Sequence, residues 1–259
     1  MELLLLLQLK NGVWILGKIY ITGIGPGNLE NMTLKALEVL SFCDTIIGYK
    51  VYIELARHYF KDKEFLSTGM AEEVQRCELC FKKAAEGKNV ALVCSGDAGI
   101  YGMAELMYQT GTAYPDIPFE IVPGVTAASS GAALLGAPLI QDFAVISLSD
   151  LLTPWEKIEK RIIATAYADM VICLYNPSSK KRAGYLKKAC QLILKYALPE
   201  TICGITENIG REGEKWAVYT LKELAEIPVN MFTTVFIGNS QTKVIDGMMV
   251  TPRGYKIGR

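Results

Sequence analysis

Short apolar runs alternate with amphipathic segments along the chain from about residue 18 onward. Runs rich in β-branched residues are typical of buried strands, and apolar residues at every third or fourth position are typical of helices. In the first half the predicted strands are 18–22, 45–48, 90–94 and 119–122, and the predicted helices are 33–40, 71–86 and 101–110. This alternation predicts an α/β fold with a mainly parallel sheet covered by helices.

The second half continues the alternation after Pro123-Gly124 but adds an antiparallel signature. Its strands are predicted at 143–148, 170–174, 201–206, 216–219 and 232–237, and its helices at 125–136, 154–166 and 180–196. The segment 210–214, Gly-Arg-Glu-Gly-Glu, lies between two strands and predicts a hairpin, so this sheet is expected to be mixed. We therefore predict two α/β domains, residues 18–123 and 124–259, with the active-site cleft between them.

Residues 1–17 are predicted to be an appendage before the first core strand. A secretory signal would need a basic start and a small-residue cleavage site, whereas here Glu2 is acidic and the leucine run is short. The segment either packs as an extra strand or reflects an upstream choice of start codon, and its sequence leaves both alternatives open.

The charge balance excludes a broad electrostatic attraction to nucleic acid. Lysine plus arginine and aspartate plus glutamate number 27 each among 259 residues, and 51% of the residues are hydrophobic. An anionic partner must therefore be bound by a local cluster of cations. No run reaches the roughly 20 apolar residues that span a bilayer. The composition predicts a cytoplasmic protein without a nucleic-acid or membrane partner.

The seven cysteines lie in apolar stretches and are expected to be reduced thiols. Cys77 and Cys80 form a C-x-x-C pair, but no second pair follows, and Val74, Cys77 and Phe81 recur at helical spacing. We therefore interpret Cys77 as part of a helix core and predict no protein-bound metal. His58 is the only histidine, which argues against serine- or cysteine-based triads.

Two glycine-rich loops follow predicted strands. The first, Gly-Ile-Gly-Pro-Gly at 23–27, is not followed at once by a helix, and the strand 45–48 ends without an acid, so a Rossmann-type dinucleotide site is excluded. The second, Ser-Gly-Asp-Ala-Gly at 95–99, leaves the carboxyl end of a strand, where open α/β sheets bind ligands. Its glycines permit close approach of the backbone to a ligand. Asp97 could instead cap the next helix.

Three further segments have both structural and functional interpretations. The helix at 125–136 is almost devoid of large side chains, which permits close packing of another helix or of a flat ring. In Thr153-Pro-Trp-Glu156 a capping box is predicted. In the segment 175–182, Tyr-Asn-Pro-Ser-Ser-Lys-Lys-Arg, serine hydroxyls and cations come together at a predicted helix start. That segment is either a solvated face or a local anion site.

Together these motifs resemble the tetrapyrrole methyltransferase family of cobalamin and sirohaem biosynthesis, over nearly the whole chain from Lys18. Family-wide marks are the Gly-x-Gly-Pro-Gly loop, the strand ending in Gly-Asp, and Val-Pro-Gly-Val-Thr at 122–126. The stretches SGDAGIYGMA, ISLSDLLTPWE, YNPSSKKR, GREGE and TTVFIGNS resemble the precorrin-3B or cobalt-precorrin-3 C17-methyltransferase branch. Ala98 matches this branch, whereas Gln141 stands where a histidine of Gly-His-Asp is expected.

The resemblance implies a tetrapyrrole methylase fold, a cytoplasmic homodimer, and S-adenosylmethionine (SAM) that is converted to S-adenosylhomocysteine. It implies that SAM is bound mainly by main-chain groups. The cofactor-binding residues that it implies are Ser95, Gly96, Asp97, Ile100, Thr126, Ala127, Tyr175 and Thr234. The substrate-binding residues that it implies, or that their charge favours, are Pro26, Ser149, Arg182 and Arg211.

The implied reaction is methylation of a corrin precursor at C17 with contraction of the ring. Transfer from a sulfonium needs positioning rather than a metal or a covalent nucleophile. Ring contraction also needs a proton to be moved, and Asp150 and Glu207 are the candidate catalytic residues. A tetrapyrrole with many carboxylates needs cations, and a guanidinium can bind a carboxylate bidentately.

Three alternatives remain open. A sibling enzyme acting on another ring carbon is disfavoured by SLSDLLTPWE, and an RNA- or protein-modifying methyltransferase on the same fold is disfavoured by the neutral charge balance. A non-catalytic SAM- or tetrapyrrole-binding protein is distinguished by whether a methyl group is turned over. The sequence does not tell whether the substrate carries cobalt.

Overall fold

The computed structural model describes residues 9–10, 13–14, 16–179 and 182–256. The chain divides into two compact units that meet between Thr126 and Ala127. Each unit is built around a five-stranded sheet. In the segment 1–17, the backbones of β1 (Leu9–Lys10) and β2 (Val13–Trp14) pair antiparallel with each other and not with the larger sheets.

The first unit has a fully parallel sheet in the order β5-β4-β6-β3-β7. Its strands are β3 (Ile19–Gly23), β4 (Thr45–Tyr49), β5 (Glu64–Thr68), β6 (Val90–Cys94) and β7 (Phe119–Val122). Its helices are α1 (Leu34–Phe42), α2 (Lys50–Tyr59), α3 (Glu73–Ala85) and α4 (Ala104–Gly111). The predicted parallel sheet is confirmed, and Thr33 caps α1 by accepting a hydrogen bond from Ala36 N at 3.2 Å.

Both faces of this sheet are covered, which explains why its central strands are continuously apolar. On one face Phe81 of α3 and Met107 of α4 are fully buried, and on the other face Leu40 of α1 is fully buried. Cys77 belongs to the buried face of α3, as predicted, whereas Val74 is 51% exposed and does not. Burial raises the pKa of the Cys77 thiol to about 11, so this thiol is protonated at neutral pH.

The charged side chain of Glu120 on β7 stabilises one edge of the sheet. It accepts hydrogen bonds from Lys18 Nζ at 2.7 Å and from Lys35 Nζ of α1, and these lower its pKa from 4.5 to about 2. A carboxyl group with a lowered folded-state pKa stabilises the fold above its unfolded pKa, and this contribution is lost as the pH falls from 4.5 towards 2.

We therefore expect Glu120→Gln to lower the melting temperature slightly at pH 7, with a difference from the wild type that disappears near pH 2. The effect is small because exposed ion pairs are screened by solvent. Thermal denaturation between pH 2 and 7 measures it. A difference that stays constant over this range would show that Glu120 contributes by packing and not by charge.

The second unit has a mixed sheet in the order β12-β11-β13-β10-β9, in which only β9 and β10 are parallel neighbours. Its strands are β9 (Phe143–Ser147), β10 (Val171–Tyr175), β11 (Ile202–Glu207), β12 (Lys215–Thr220) and β13 (Thr233–Ile237). Its helices are α5 (Ala127–Leu135), α6 (Trp155–Tyr167), α7 (Tyr185–Ile193) and α8 (Leu221–Leu224). A smaller sheet contains β8 (Gly136–Ala137), β14 (Lys243–Ile245) and β15 (Met248–Val250). The mixed sheet and the hairpin at 210–214 are as predicted.

The small side chains of α5 let this helix lie close to the sheet. A Cβ atom added at Gly131 would lie 2.7 Å from Thr206 Oγ1 and 3.0 Å from the ring of Phe236. Ala128 and Ala132 belong to the same buried cluster as Phe236. The sparse helix thus packs against a β-sheet, a partner that the sequence did not suggest.

Three predicted helix starts are wrong. Helix α4 begins at Ala104 and not at Tyr101, which lies in the preceding loop. Helix α6 begins at Trp155 with Pro154 as its N-cap, and no side-chain cap is present, so the predicted capping box at Thr153 does not form. Helix α7 begins at Tyr185 after Gly184, so Arg182 lies in the preceding turn and not within the helix. Its backbone N–H donates to Ser179 O at 3.0 Å. Among the described residues no helix is long and apolar enough to cross a membrane.

Candidate functional site

Three loops meet at the carboxyl edge of the parallel sheet in the first unit. They follow β3, β6 and β7, three adjacent strands. Gly25 and Gly96 exchange two backbone hydrogen bonds, of 3.1 Å and 2.7 Å, and both have positive φ, +71° and +67°. The glycine loops that the sequence analysis treated separately therefore form one backbone bridge.

Asp97 ties the third loop to the second. Its Oδ1 atom accepts from the N–H groups of Gly99 at 2.8 Å and Ile100 at 3.1 Å, and its Oδ2 atom accepts from Gly124 N at 2.9 Å. The N-cap of α4 is Met103, so the alternative that Asp97 caps this helix is wrong. Its carboxylate instead organises the backbone of two loops.

Steric exclusion explains the glycines at the centre of this arrangement. A Cβ atom at Gly124 would lie 2.1 Å from Gly96 O, and one at Gly23 would lie 2.7 Å from the same atom. The main chains of the three loops pack directly against each other, so these glycines are needed for the loop packing itself. The interpretation that they admit a ligand is not required at these positions.

The tip of the second loop is exposed. Ile100 is 41% exposed and Tyr101 is 56% exposed, although both follow a fully buried strand. Tyr101 has a φ of +54°, an uncommon conformation for a residue other than glycine.

Sequence reasoning missed Arg76 of α3. This residue contacts loops at the same carboxyl edge of the sheet. Its side chain is 4% exposed, with Nε donating to Thr68 Oγ1 and Nη2 donating to Gly69 O, both at 2.8 Å. Its Nη1 atom lies 3.8 Å from the sulfur of Met103, at the end of the second loop. Arg76 thus connects the loop after β5 with the loop after β6. The sequence around Arg76 carries no signal for these contacts, because its partners lie in other loops.

A row of polar residues crosses the edge of the second unit's sheet where β9, β10 and β11 end. Thr206 lies opposite Thr234 on the neighbouring strand, and Tyr175 lies opposite Ser147. The Tyr175 hydroxyl accepts a hydrogen bond of 2.6 Å from Ala128 N, in the first turn of α5. Within the second unit, Tyr175 therefore lies beside the first turn of α5, which begins at Ala127.

Asp150, Tyr185 and Arg182 form a polar cluster beyond this row. Tyr185 donates from its hydroxyl to Asp150 Oδ2 at 2.5 Å, and Arg182 Nη1 lies 3.8 Å from Asp150 Oδ1. The hydrogen bond to Asp150 raises the pKa of Tyr185, which keeps the phenol protonated. The Arg182 Nε atom is buried and has no hydrogen-bond partner in the described part of the chain.

Glu207, the other catalytic candidate, has a different set of partners. Its Oε1 atom accepts from Asn230 Nδ2 at 2.8 Å, and its Oε2 atom lies 3.1 Å from Lys215 Nζ. Arg211 lies in the hairpin that follows, with its guanidinium 5.5 Å from the ring centroid of Phe232. The structure thus places the two candidate carboxylates in separate clusters.

The remaining predicted residues lie in the same loops. Pro26 is buried next to the Gly25–Gly96 bridge, whereas Ser95 is half-buried at the end of β6 and Thr126 half-buried after β7. Ser149 is half-buried after β9, and its backbone N–H donates to Ser147 Oγ at 3.2 Å. None of these positions by itself identifies a ligand.

Gln141 stands where a histidine was expected, and it has a structural role. Its Nε2 atom donates to Pro252 O at 2.6 Å, and its Oε1 atom accepts from Asn239 Nδ2 at 3.0 Å. The residue therefore joins the C-terminal segment to the loop after β13. Among the described residues no group of three histidine, cysteine or acidic side chains could hold a metal ion.

Comparison with known proteins gives a consistent result. A probable cobalt-factor III C(17)-methyltransferase of Salmonella typhimurium is 45% identical over 238 residues, which cover 92% of this chain and 99% of that protein. A precorrin-3B C(17)-methyltransferase of Sinorhizobium sp is 36% identical over 92% of this chain and 97% of that protein. The crystal structure of the methyltransferase CobJ has a TM-score of 0.84 at 30% identity, covering 91% of this chain and all of that one.

The family model of the tetrapyrrole (corrin/porphyrin) methylases matches residues 18–225. This range contains the three loops of the first unit and the polar clusters of the second. With relatives of similar length at 36–45% identity and a matching fold, the chain belongs to the tetrapyrrole (corrin/porphyrin) methylase family.

Proposed function

We propose that this protein is a SAM-dependent methyltransferase that methylates C17 of cobalt-factor III, with contraction of the macrocycle, in cobalamin biosynthesis. The observation that carries the proposal is the 45% identity to the Salmonella typhimurium relative along 99% of its length. The precorrin-3B relative is less similar, at 36% identity, which favours the cobalt-containing substrate over the metal-free one.

SAM supplies a methyl group on a sulfonium, which is already activated for transfer to an electron-rich carbon. In the first unit we assign its binding to Ser95, Gly96, Asp97, Ile100 and Thr126. The support for this assignment is the position of these loops at the carboxyl edge of a parallel sheet, with the exposed side chains of Ile100 and Tyr101 at the loop tip. In the second unit we assign Ala127, Tyr175 and Thr234 to the same ligand, with the Tyr175–Ala128 hydrogen bond fixing the first turn of α5.

The macrocycle bears several carboxylates, so we assign its binding to Arg182 and Arg211, with Pro26 and Ser149 as further contacts. Guanidinium groups suit this role because they form paired, charge-assisted hydrogen bonds with carboxylates. Asp150 and Glu207 remain the candidates for moving a proton during ring contraction. Asp150 is the stronger of the two, since its carboxylate is 34% exposed and that of Glu207 only 13%.

We further propose that the protein is a cytoplasmic homodimer and holds no metal of its own. Light scattering of the purified protein measures the first property and elemental analysis the second. The support for the second property is the donor inventory, since among the described residues no group of three histidine, cysteine or acidic side chains could hold a metal ion.

The proposal is tested by incubating the purified protein with SAM and either cobalt-factor III or precorrin-3B, and following products by mass and absorbance. We expect one methyl group to be added to cobalt-factor III, with an absorbance change that reports ring contraction, and slower turnover of precorrin-3B. Methyl transfer to another ring carbon, or binding without turnover, would overturn the proposed function.

A further inference from the structure

The guanidinium of Arg182 has donors to spare. Its Nη1 atom lies 3.8 Å from Asp150 Oδ1, which is longer than a hydrogen bond. Its Nε atom is buried without a hydrogen-bond partner in the described part of the chain, although the side chain as a whole is still 17% exposed. A buried donor of a charged group is normally paired, because leaving it unpaired is unfavourable.

Tyr185 restrains the acid that would otherwise neutralise this arginine. Its hydroxyl holds Asp150 Oδ2 at 2.5 Å, while Oδ1 faces Arg182. Tyr185 itself is fixed against Trp155 of α6, with ring centroids 4.8 Å apart. The carboxylate is therefore held near the guanidinium but not in a paired hydrogen-bonding geometry.

From these contacts we infer that Arg182 is the receptor for one carboxylate arm of the macrocycle, and that Asp150 is a temporary counter-ion which the arm replaces. Tyr185 is a positioning residue that keeps Asp150 from closing on Arg182. The incoming carboxylate accepts hydrogen bonds from the Nη atoms at the exposed end of the guanidinium, which suits paired bonds to a carboxylate. The inference rests on the proposed function, which supplies a ligand with carboxylate arms.

The inference predicts a different effect on macrocycle binding for substitution of each residue. Arg182→Ala and Arg182→Lys should each weaken binding of the macrocycle about 10- to 100-fold, because lysine keeps the charge but lacks the planar pair of donors. Tyr185→Phe should weaken binding about 3- to 10-fold, because the freed Asp150 pairs with Arg182. Asp150→Asn should keep or raise the affinity, and it should restore binding when combined with Tyr185→Phe.

The experiment is an absorbance titration of each variant with cobalt-factor III and with uroporphyrin III, a stable tetrapyrrole that bears carboxylate arms. SAM affinity by calorimetry and thermal unfolding show that each variant remains folded, and all variants should keep SAM affinity within about twofold. Lys187→Ala is the matched control, since this exposed cation on α7 pairs with Glu226 at 2.7 Å. It should bind both macrocycles like the wild type.

Wild-type affinity in Arg182→Lys would overturn the inference, as would a loss of binding in Asp150→Asn as large as that in Arg182→Ala. Failure of the wild type to methylate cobalt-factor III would instead remove the proposed function, and the uroporphyrin titration would still report on Arg182. A Tyr185→Phe/Asp150→Asn double variant that binds the macrocycle no better than Tyr185→Phe alone would show that Asp150 is not the counter-ion of Arg182.

Discussion

Asp97→Ala is expected to abolish measurable SAM binding and to lower the free energy of unfolding by about 2–4 kcal/mol. The substitution removes all three hydrogen bonds that the carboxylate accepts, from Gly99, Ile100 and Gly124. Two loops lose their attachment at once, and the exposed tip at Ile100 and Tyr101 loses its fixed shape. Calorimetric titration with SAM and urea unfolding measure the two effects.

Asp97→Asn is the informative comparison. An amide can keep the oxygen that accepts from Gly99 and Ile100, but its NH2 group would face the Gly124 N–H, and two donors cannot pair. We expect an intermediate loss of both stability and SAM affinity. Asp116→Ala, at an exposed position before β7, should change neither. Full SAM binding by Asp97→Ala would remove this loop from the binding site.

Gly124→Ala is expected to destabilise the first unit by at least about 3 kcal/mol and to weaken SAM binding by more than about 100-fold. A Cβ atom at this position would lie 2.1 Å from Gly96 O and 2.7 Å from Gly23 C and O. All of these are backbone atoms, so no side-chain rotation can make room. The loops after β3, β6 and β7 would have to move apart.

Gly184→Ala is the matched control for the stability measurement. Nothing lies within 4 Å of a Cβ atom added there, and its φ of −96° is accessible to alanine. We expect its free energy of unfolding to lie within about 1 kcal/mol of the wild type. Equal stability of Gly124→Ala and the wild type would mean that the three loops do not pack as described.

Much of the fold was predictable because buried strands leave a clear pattern. The runs at Val90–Cys94 and Phe119–Val122 were predicted to the residue. Helix α2 and strand β5 were not predicted. Strand β5 is an edge strand whose residues are exposed or half-buried, so it lacks the apolar run of the central strands. Helix α2 is amphipathic and buries Ile53 and Ala56, so its period was present in the sequence and was missed.

The candidate site was predictable only in part, because residues that contact each other there are far apart in the sequence. Strand ends placed the glycine loops at one edge of a sheet, and the structure brings them together. The partners within the site are far apart in sequence, as for Asp97 with Gly124 or Asp150 with Tyr185. No local pattern encodes such a pair, so Tyr185 and Arg76 could not be found from the sequence.

The hydrogen bonds of Gln141 attach the C-terminal segment to the loop after β13 in a way that does not depend on pH. The residue must donate to Pro252 O and accept from Asn239 at the same time. A neutral imidazole can do both, but an imidazolium has two donors and no acceptor, so a histidine here would release Asn239 on acidification. The side-chain amide of Gln141 neither gains nor loses a proton when the pH crosses neutrality. The C-terminal segment of this protein is therefore held in the same way on both sides of neutrality, by a contact that cannot act as a proton switch.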